Sequence, residues 1–426
     1  MSVSRREGFR TLVAAAFPAM LLLAACGSSS PSSSSGASLK FTMTIGDVEP
    51  YTGDLGALGA PADKAVKLAA DELNKAAKDA GLGVTFKVVT ADSQTDPQEA
   101  LSAARQLIDE GATCLTGPDT TPEALAILNG VTKARKITML PSATAAALRK
   151  TDDGGTIFRT APPDNLQAQA LVTAVEAQLG SAQGKTVSVA YQNTPYGQGL
   201  ADTFSAAWTK LGGKIQGPLG YDPTLPTYDA EAAKIVANNP DAFVIADFPD
   251  TFGKVAAALL RTGAFDPTKL FVSDALAVSP IPSVIPAAAL NGAHATNAGS
   301  PVGTPQAVAF NTLYTSAPGP GRSALDDNNF DAGILCGLAA IAAGSNDPAK
   351  VNAQMRKISG PNGKPFTFTA LAGAMEALRA GTQIHYIGVS GAIDFDAQGD
   401  TSTGTFDLST WKNGVLVLDR LINTKP

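Results

Sequence analysis

The sequence predicts an α/β fold made of two doubly wound parallel-sheet domains. Three observations carry this. From Leu39 onward, short apolar runs alternate with longer segments of helical periodicity. The alternation breaks at "TAPPDN" and then starts again. The 426 residues are 44% hydrophobic and 16% charged, enough to bury two cores of ordinary size.

The first run of elements reads strand "FTMTIG", helix "APADKAVKLAADELNKAAKDAG" stopping at Gly81, and strand "VTFKVVTAD". It continues with helix "DPQEALSAARQLIDEG", strand "ATCLTG", helix "TPEALAILNGVTKAR" and strand "ITMLP". Repeated βα units imply a parallel sheet covered on both faces. After Pro162 and Pro163 the pattern resumes with helix "NLQAQALVTAVEAQLG" and strand "KTVSVAYQ". Helix "YGQGLADTFSAAWTKLG", strand "GKIQGPLGY", helix "YDAEAAKIVANN", strand "DAFVIADF", helix "TFGKVAAALLRTG" and strand "KLFVSDA" follow. "FDAGILCGLAAIAAG" and "DPAKVNAQMRKIS" are helical, while the end of the chain alternates around "KNG" and reads as a β-hairpin.

The N-terminus reads as a processing segment. Arg5, Arg6 and Arg10 precede the apolar run "TLVAAAFPAMLLLAA" and then Cys26. The run is short and contains Pro18, the layout of a signal peptide and not of a spanning helix. "LAAC" resembles a bacterial lipobox, which implies lipidation of Cys26. Residues 1–25 are then the signal peptide, and 26–38, with "GSSSPSSSSGAS", a flexible tether. The expected location is outside the cytoplasm, on a membrane anchor. Cys114 and Cys336 lie in segments that read as buried core, and two inert thiols are expected there in preference to a disulfide.

The formal charge is −6, and removing the net +2 of Arg5, Arg6, Glu7 and Arg10 leaves −8. Without a basic run, nucleic acid is not an expected partner. Two histidines far apart and three cysteines without CxxC give no zinc signature, and no cofactor is expected. "GSAQGKT" has one residue too few for a phosphate loop and precedes a strand instead of a helix. "GVSGA" lacks the last glycine of a nucleophile elbow. Nothing in the chain supports an enzyme.

Six stretches taken in order resemble the type I periplasmic solute-binding proteins, closest to the branched-chain amino-acid (Leu/Ile/Val) receptors of ABC importers. They are "IGDVEPYTGDLGALG" (45–59), "AADELN" (69–74), "GPDTTPEALA" (117–126), "LPSAT" (140–144), "YGQGLA" (196–201) and "IDFDAQGD" (393–400). The resemblance covers nearly all of 39–426. It implies a three-segment hinge with crossings near Ala161, 295–301 and Gly391. Domain one is then 39–161 with 299–390, and domain two 162–298 with 391–426. The ligand would lie in the cleft between them, at the carboxyl ends of the strands, and closure would be a hinge motion.

The resemblance also implies site residues. Thr121 opens the helix "TPEALA", where its hydroxyl and the free N–H groups of the turn suit a carboxylate or simply cap the helix. Ser142, Ala143 and Thr144 leave the next strand, supplying a carbonyl and a hydroxyl to an ammonium and N–H groups to a carboxylate, or capping an alanine-rich helix. Asp274 pairs the ligand ammonium. Tyr196 and Phe248 close over the ligand or serve ordinary packing. Leu58 stands where the family often has an aromatic, giving an aliphatic wall.

The implied function is a monomeric, lipid-anchored solute-binding subunit. It captures a small amino acid or similar ligand and delivers it to an ABC permease. The alternatives are a ligand-binding sensor of the same fold, or a binder of amides or aromatic acids.

Overall fold

The computed structural model describes residues 39–425. The signal peptide, Cys26 and the tether lie outside the described residues. Among the described residues no helix is long and apolar enough to cross a membrane.

Two sheets organise the chain. The first contains β1 (Lys40–Glu49), β2 (Gly83–Asp92), β3 (Cys114–Thr116) and β4 (Thr138–Leu140), all parallel in the order β2-β1-β3-β4. The second takes β5 (Thr186–Gln192), β6 (Lys214–Tyr221), β7 (Ala242–Ala246), β8 (Leu270–Val272) and β9 (His294–Ala298). These five are parallel. A short parallel pair that the sequence reading missed, β10 (Lys364–Phe366) and β11 (Ile384–Tyr386), stands apart. The chain then returns to the second sheet with β12 (Gly404–Lys412) and β13 (Val415–Thr424), giving the order β13-β12-β9-β8-β7-β5-β6. β12 runs antiparallel to both neighbours.

The local chemistry explains most boundaries. Asp96 caps the helix Pro97–Asp109, its carboxylate accepting from the Gln98 and Glu99 N–H groups. Lys412 pairs with Val415 across Asn413 and Gly414, whose φ values of 55° and 79° are those of a two-residue Asn-Gly hairpin. The first sheet packs against the helices Gly56–Asp79 and Asp326–Ala343, so residues far along the chain complete its core. Mixed parallel and antiparallel strands in the second sheet follow the same logic: the terminal hairpin adds at the edge beside β9.

One expectation is overturned here. Cys114 and Cys336 form a disulfide, with Cα atoms 5.9 Å apart across 222 residues. Both segments are buried, as expected, but β3 and the helix Asp326–Ala343 pack face to face and bring the two thiols within bonding reach.

Candidate ligand-binding site

Strand exits build the site. β3 leaves the first sheet through Gly117, Pro118 and Asp119. Gly117 has φ +70°, and a Cβ there would fall 2.1 Å from the Val48 carbonyl oxygen, so the turn requires glycine. The helix Thr121–Ile127 follows. Its N-cap is Thr120, one residue earlier than a cap at Thr121 would be. The Thr120 hydroxyl accepts from the Glu123 N–H while Glu123 reaches back to the Thr120 N–H. Pro122 has no N–H, so the turn offers a ligand less than the sequence suggested. What it leaves over is Thr121: its hydroxyl is buried and has no partner.

β4 leaves through "PSATAAAL". No helix follows within this stretch; the backbone stays irregular until a single turn at Leu148–Lys150. The capping role open to Ser142 and Thr144 is therefore excluded. The loop is held instead by Arg159, which is fully buried. One of its terminal nitrogens donates to the carbonyls of Ala143 (3.2 Å) and Ala145 (3.0 Å), and its Nε donates to Asp400 at 2.6 Å. Ala143 thus spends its carbonyl on Arg159, and its side chain lies in the core of the first sheet. It does not line the cavity.

The second sheet supplies the opposite wall. Tyr196 sits in the first turn of the helix Pro195–Lys210, after β5. Its hydroxyl lies 2.6 Å from both Ser273 Oγ and Asp274 Oδ1. With one proton to give, it donates to the carboxylate and accepts from the serine. Phe248, after β7, stacks on Tyr196 with ring centroids 5.3 Å apart. Asp274 follows β8.

These groups meet. Thr121, Ser142, Thr144, Tyr196, Phe248, Asp274 and Leu58 line one narrow cavity of about 30 Å³ at the carboxyl ends of β3, β4, β5, β7 and β8. Leu55 and Leu58, from the side of the first sheet, pack with Tyr196, Phe248 and Val278 of the second. The Asp54 carboxylate accepts from the Asp250 N–H at 2.6 Å, capping a helix of the opposite lobe. The cleft is closed. Ligand pockets usually measure some 300–1,000 Å³, so this cavity is narrow for a ligand.

Sequence reasoning missed Leu55, Asp119, Thr120, Ala275, Ala324 and Leu325 in the lining. Leu325 has φ +65°, a left-handed conformation unusual for leucine. Nothing in "SALDD" announces it. Asp119 lies in "GPDTT", and its carboxyl next to two threonines was the available signal.

The electrostatics are one-sided. No Lys, Arg or His lines the cavity. Burial, then the charges of Glu123 and Asp47, push the Asp119 carboxyl up to about 8. Asp274, on the other wall, is raised by burial, and Asp164 beside it, outside the lining, is raised to about 8 by burial and by Asp274. Both Asp164 oxygens are shut off from solvent without a partner. Among the described residues no cluster of His, Cys, Asp and Glu could hold a metal ion.

Two doubly wound sheets with a cavity at their strand ends define a ligand-binding protein of the two-lobed type, with substrate capture and not catalysis as its work. The chain belongs to the periplasmic binding protein family, whose model matches residues 42–409. That membership implies an extracytoplasmic location. The substrate-binding protein BasB of a chemotactic signal transduction system in Halobacterium salinarum is 26% identical over 370 residues, 85% of each chain. The leucine-binding protein LivK of Thermotoga maritima superposes with a TM-score of 0.71 at 23% identity, covering 89% of this chain and 98% of that one. LivJ of Streptococcus pneumoniae, solved in complex with isoleucine, gives a TM-score of 0.71 at 21% identity, covering 91% and 100%.

Proposed function

We propose that the protein captures a small α-amino acid or amino-acid-like solute by hinge closure and delivers it to an ABC permease, from a lipid anchor at Cys26. The observation that carries the reading is the opposition of two chemistries across one cavity. Asp274, held by Tyr196, stands on one wall, and the unpartnered Thr121 hydroxyl with Ser142 and Thr144 stands on the other. A zwitterion satisfies both: its ammonium goes to Asp274 and its carboxylate to the hydroxyl side. A simple aliphatic or aromatic carboxylate leaves Asp274 without a cation and is repelled by it.

The moving bodies in this reading are 39–161 with 299–390, and 162–298 with 391–426. The inter-lobe contacts of Leu55, Leu58 and Asp54 are those that opening would break. The name of the Halobacterium relative supports a second reading in which the same captured ligand is presented to a membrane receptor for signalling. The cleft serves both roles equally, so the membrane partner separates them.

The test is calorimetric titration of the wild type and Asp274→Ala with a panel of amino acids. Truncating one member of a buried charge pair costs about 2–5 kcal/mol, so the variant should lose at least tenfold in affinity. Unchanged affinity removes Asp274 from the clamp.

A further inference from the structure

We infer that Asp119 selects ligands whose side chain carries a nitrogen donor, an amide or amine N–H, over ligands with a plain aliphatic side chain. This deepens the amino-acid reading above and rests on it.

The two carboxyls of the cavity differ in what they lack. Asp274 already receives the Tyr196 hydroxyl and faces the place of an α-ammonium. Asp119 lies on the other lobe, in the same cavity, and its Oδ1 is shut off from solvent without any partner. The neighbouring Ser142 hydroxyl lies within hydrogen-bond reach of Asn329 Oδ1, at 2.9 Å, and of the Asp119 carboxyl, yet Asp119 Oδ1 itself is left without a partner. The charges that face Asp119 from the surrounding elements are Glu123 on the helix that follows it, Asp47 and Glu49 on β1, and Asp326 at the start of the helix Asp326–Ala343. All are acidic, and no cation lines the cavity.

A buried carboxyl oxygen without a donor is costly to keep. An α-ammonium seated on Asp274 and Tyr196 leaves Asp119 Oδ1 to be met by another group. The remaining donor has to come from the rest of the ligand. Leu55, Leu58, Phe248 and Leu325 supply apolar surface for methylenes. The class that fits is a short amino acid with a terminal amide or amine. Like charges and burial hold Asp119 partly protonated near neutral pH. An amine ligand therefore displaces a proton from it, whereas an amide ligand need not.

The test titrates the wild type, Asp119→Leu and Asp119→Asn with glutamine, ornithine and isoleucine at pH 7 and pH 8.5. The wild type is expected to bind glutamine or ornithine at least tenfold more tightly than isoleucine, and Asp119→Leu to reverse that order. Asp119→Asn, nearly identical in size, should keep glutamine while losing ornithine at least tenfold. If ornithine is the better wild-type ligand, its binding should strengthen from pH 7 to pH 8.5. Amino-acid binding with an isoleucine preference, or with an order indifferent to residue 119, overturns the role of Asp119 and leaves the zwitterion clamp standing. Failure of every amino acid to bind the wild type overturns the clamp and this inference together.

Discussion

The two walls of the cleft are built differently. The wall on the second sheet is finished before any ligand arrives: Tyr196 is stacked on Phe248 and bonded to Asp274 and Ser273. The wall on the first sheet is held from behind. Arg159 fixes the Ser142–Thr144 loop through its carbonyls, yet the groups that face the cavity, Thr121 Oγ1 and Asp119 Oδ1, remain without partners. One wall is pre-organised by its own side chains; the other is a rigid frame with open valences. Pre-organisation reduces the ordering cost of binding, while unpartnered groups give the ligand something to satisfy and so set selectivity.

The largest expected effect comes from breaking the frame. Arg159→Ala removes a buried cation and leaves Asp400 with Arg149 alone, which costs about 3–5 kcal/mol of stability. Urea unfolding should show it. Amino-acid binding should fall as well, because the loop loses both carbonyl contacts. A variant of normal stability and affinity would show that the loop does not depend on Arg159.

Next is the covalent tie under the same wall. Cys114→Ala with Cys336→Ala opens a 222-residue loop, and removing such a cross-link costs about 2–4 kcal/mol. The melting temperature of the double variant should fall, and reductant should destabilise the wild type while leaving the variant unmoved. Equal melting points with and without reductant would mean the bridge contributes nothing.

A further effect is read from pH. Asp119 and Asp164 have folded pKa values of about 8, far above the ordinary carboxyl value of 3.8. Between those limits the folded state holds more protons than the unfolded one, so stability falls as pH rises. The ligand-free protein should melt at a higher temperature at pH 5 than at pH 8. Asp119→Asn and Asp164→Asn should each flatten part of that slope. A melting point that rises over this range would contradict the assignment.

Much of this architecture was legible. Alternating βα segments, the restart after Pro163 and the Asn413-Gly414 hairpin are local patterns, and local patterns survive folding. So do Thr121, Ser142, Thr144, Tyr196, Phe248, Asp274 and Leu58, which sit at strand exits or helix starts and meet in one cavity. What escaped is non-local. The disulfide joins residues 222 positions apart, and no spacing rule relates them. The alanine-rich stretch around Thr144 has high helix propensity, but Arg159 takes the carbonyls of Ala143 and Ala145, the Asp164 N–H takes that of Thr144, and the loop stays open. Thr120 and Thr121 compete for one cap, and only the reach of Glu123 decides between them. Leu325 enters the cavity through a left-handed turn its sequence does not mark.

The most direct measurement of the zwitterion clamp compares an α-amino acid with the same molecule lacking its amino group. Glutamine against 5-amino-5-oxopentanoate, and leucine against 4-methylpentanoate, form two such pairs for thermal-shift titration. A ligand at about a hundred times its dissociation constant adds roughly 2.7 kcal/mol, a shift that is easily read. In at least one pair the amino acid should raise the melting temperature and its deaminated partner should not. Equal shifts within both pairs, or stabilisation by the deaminated acids alone, would contradict a site organised around Asp274 and an ammonium.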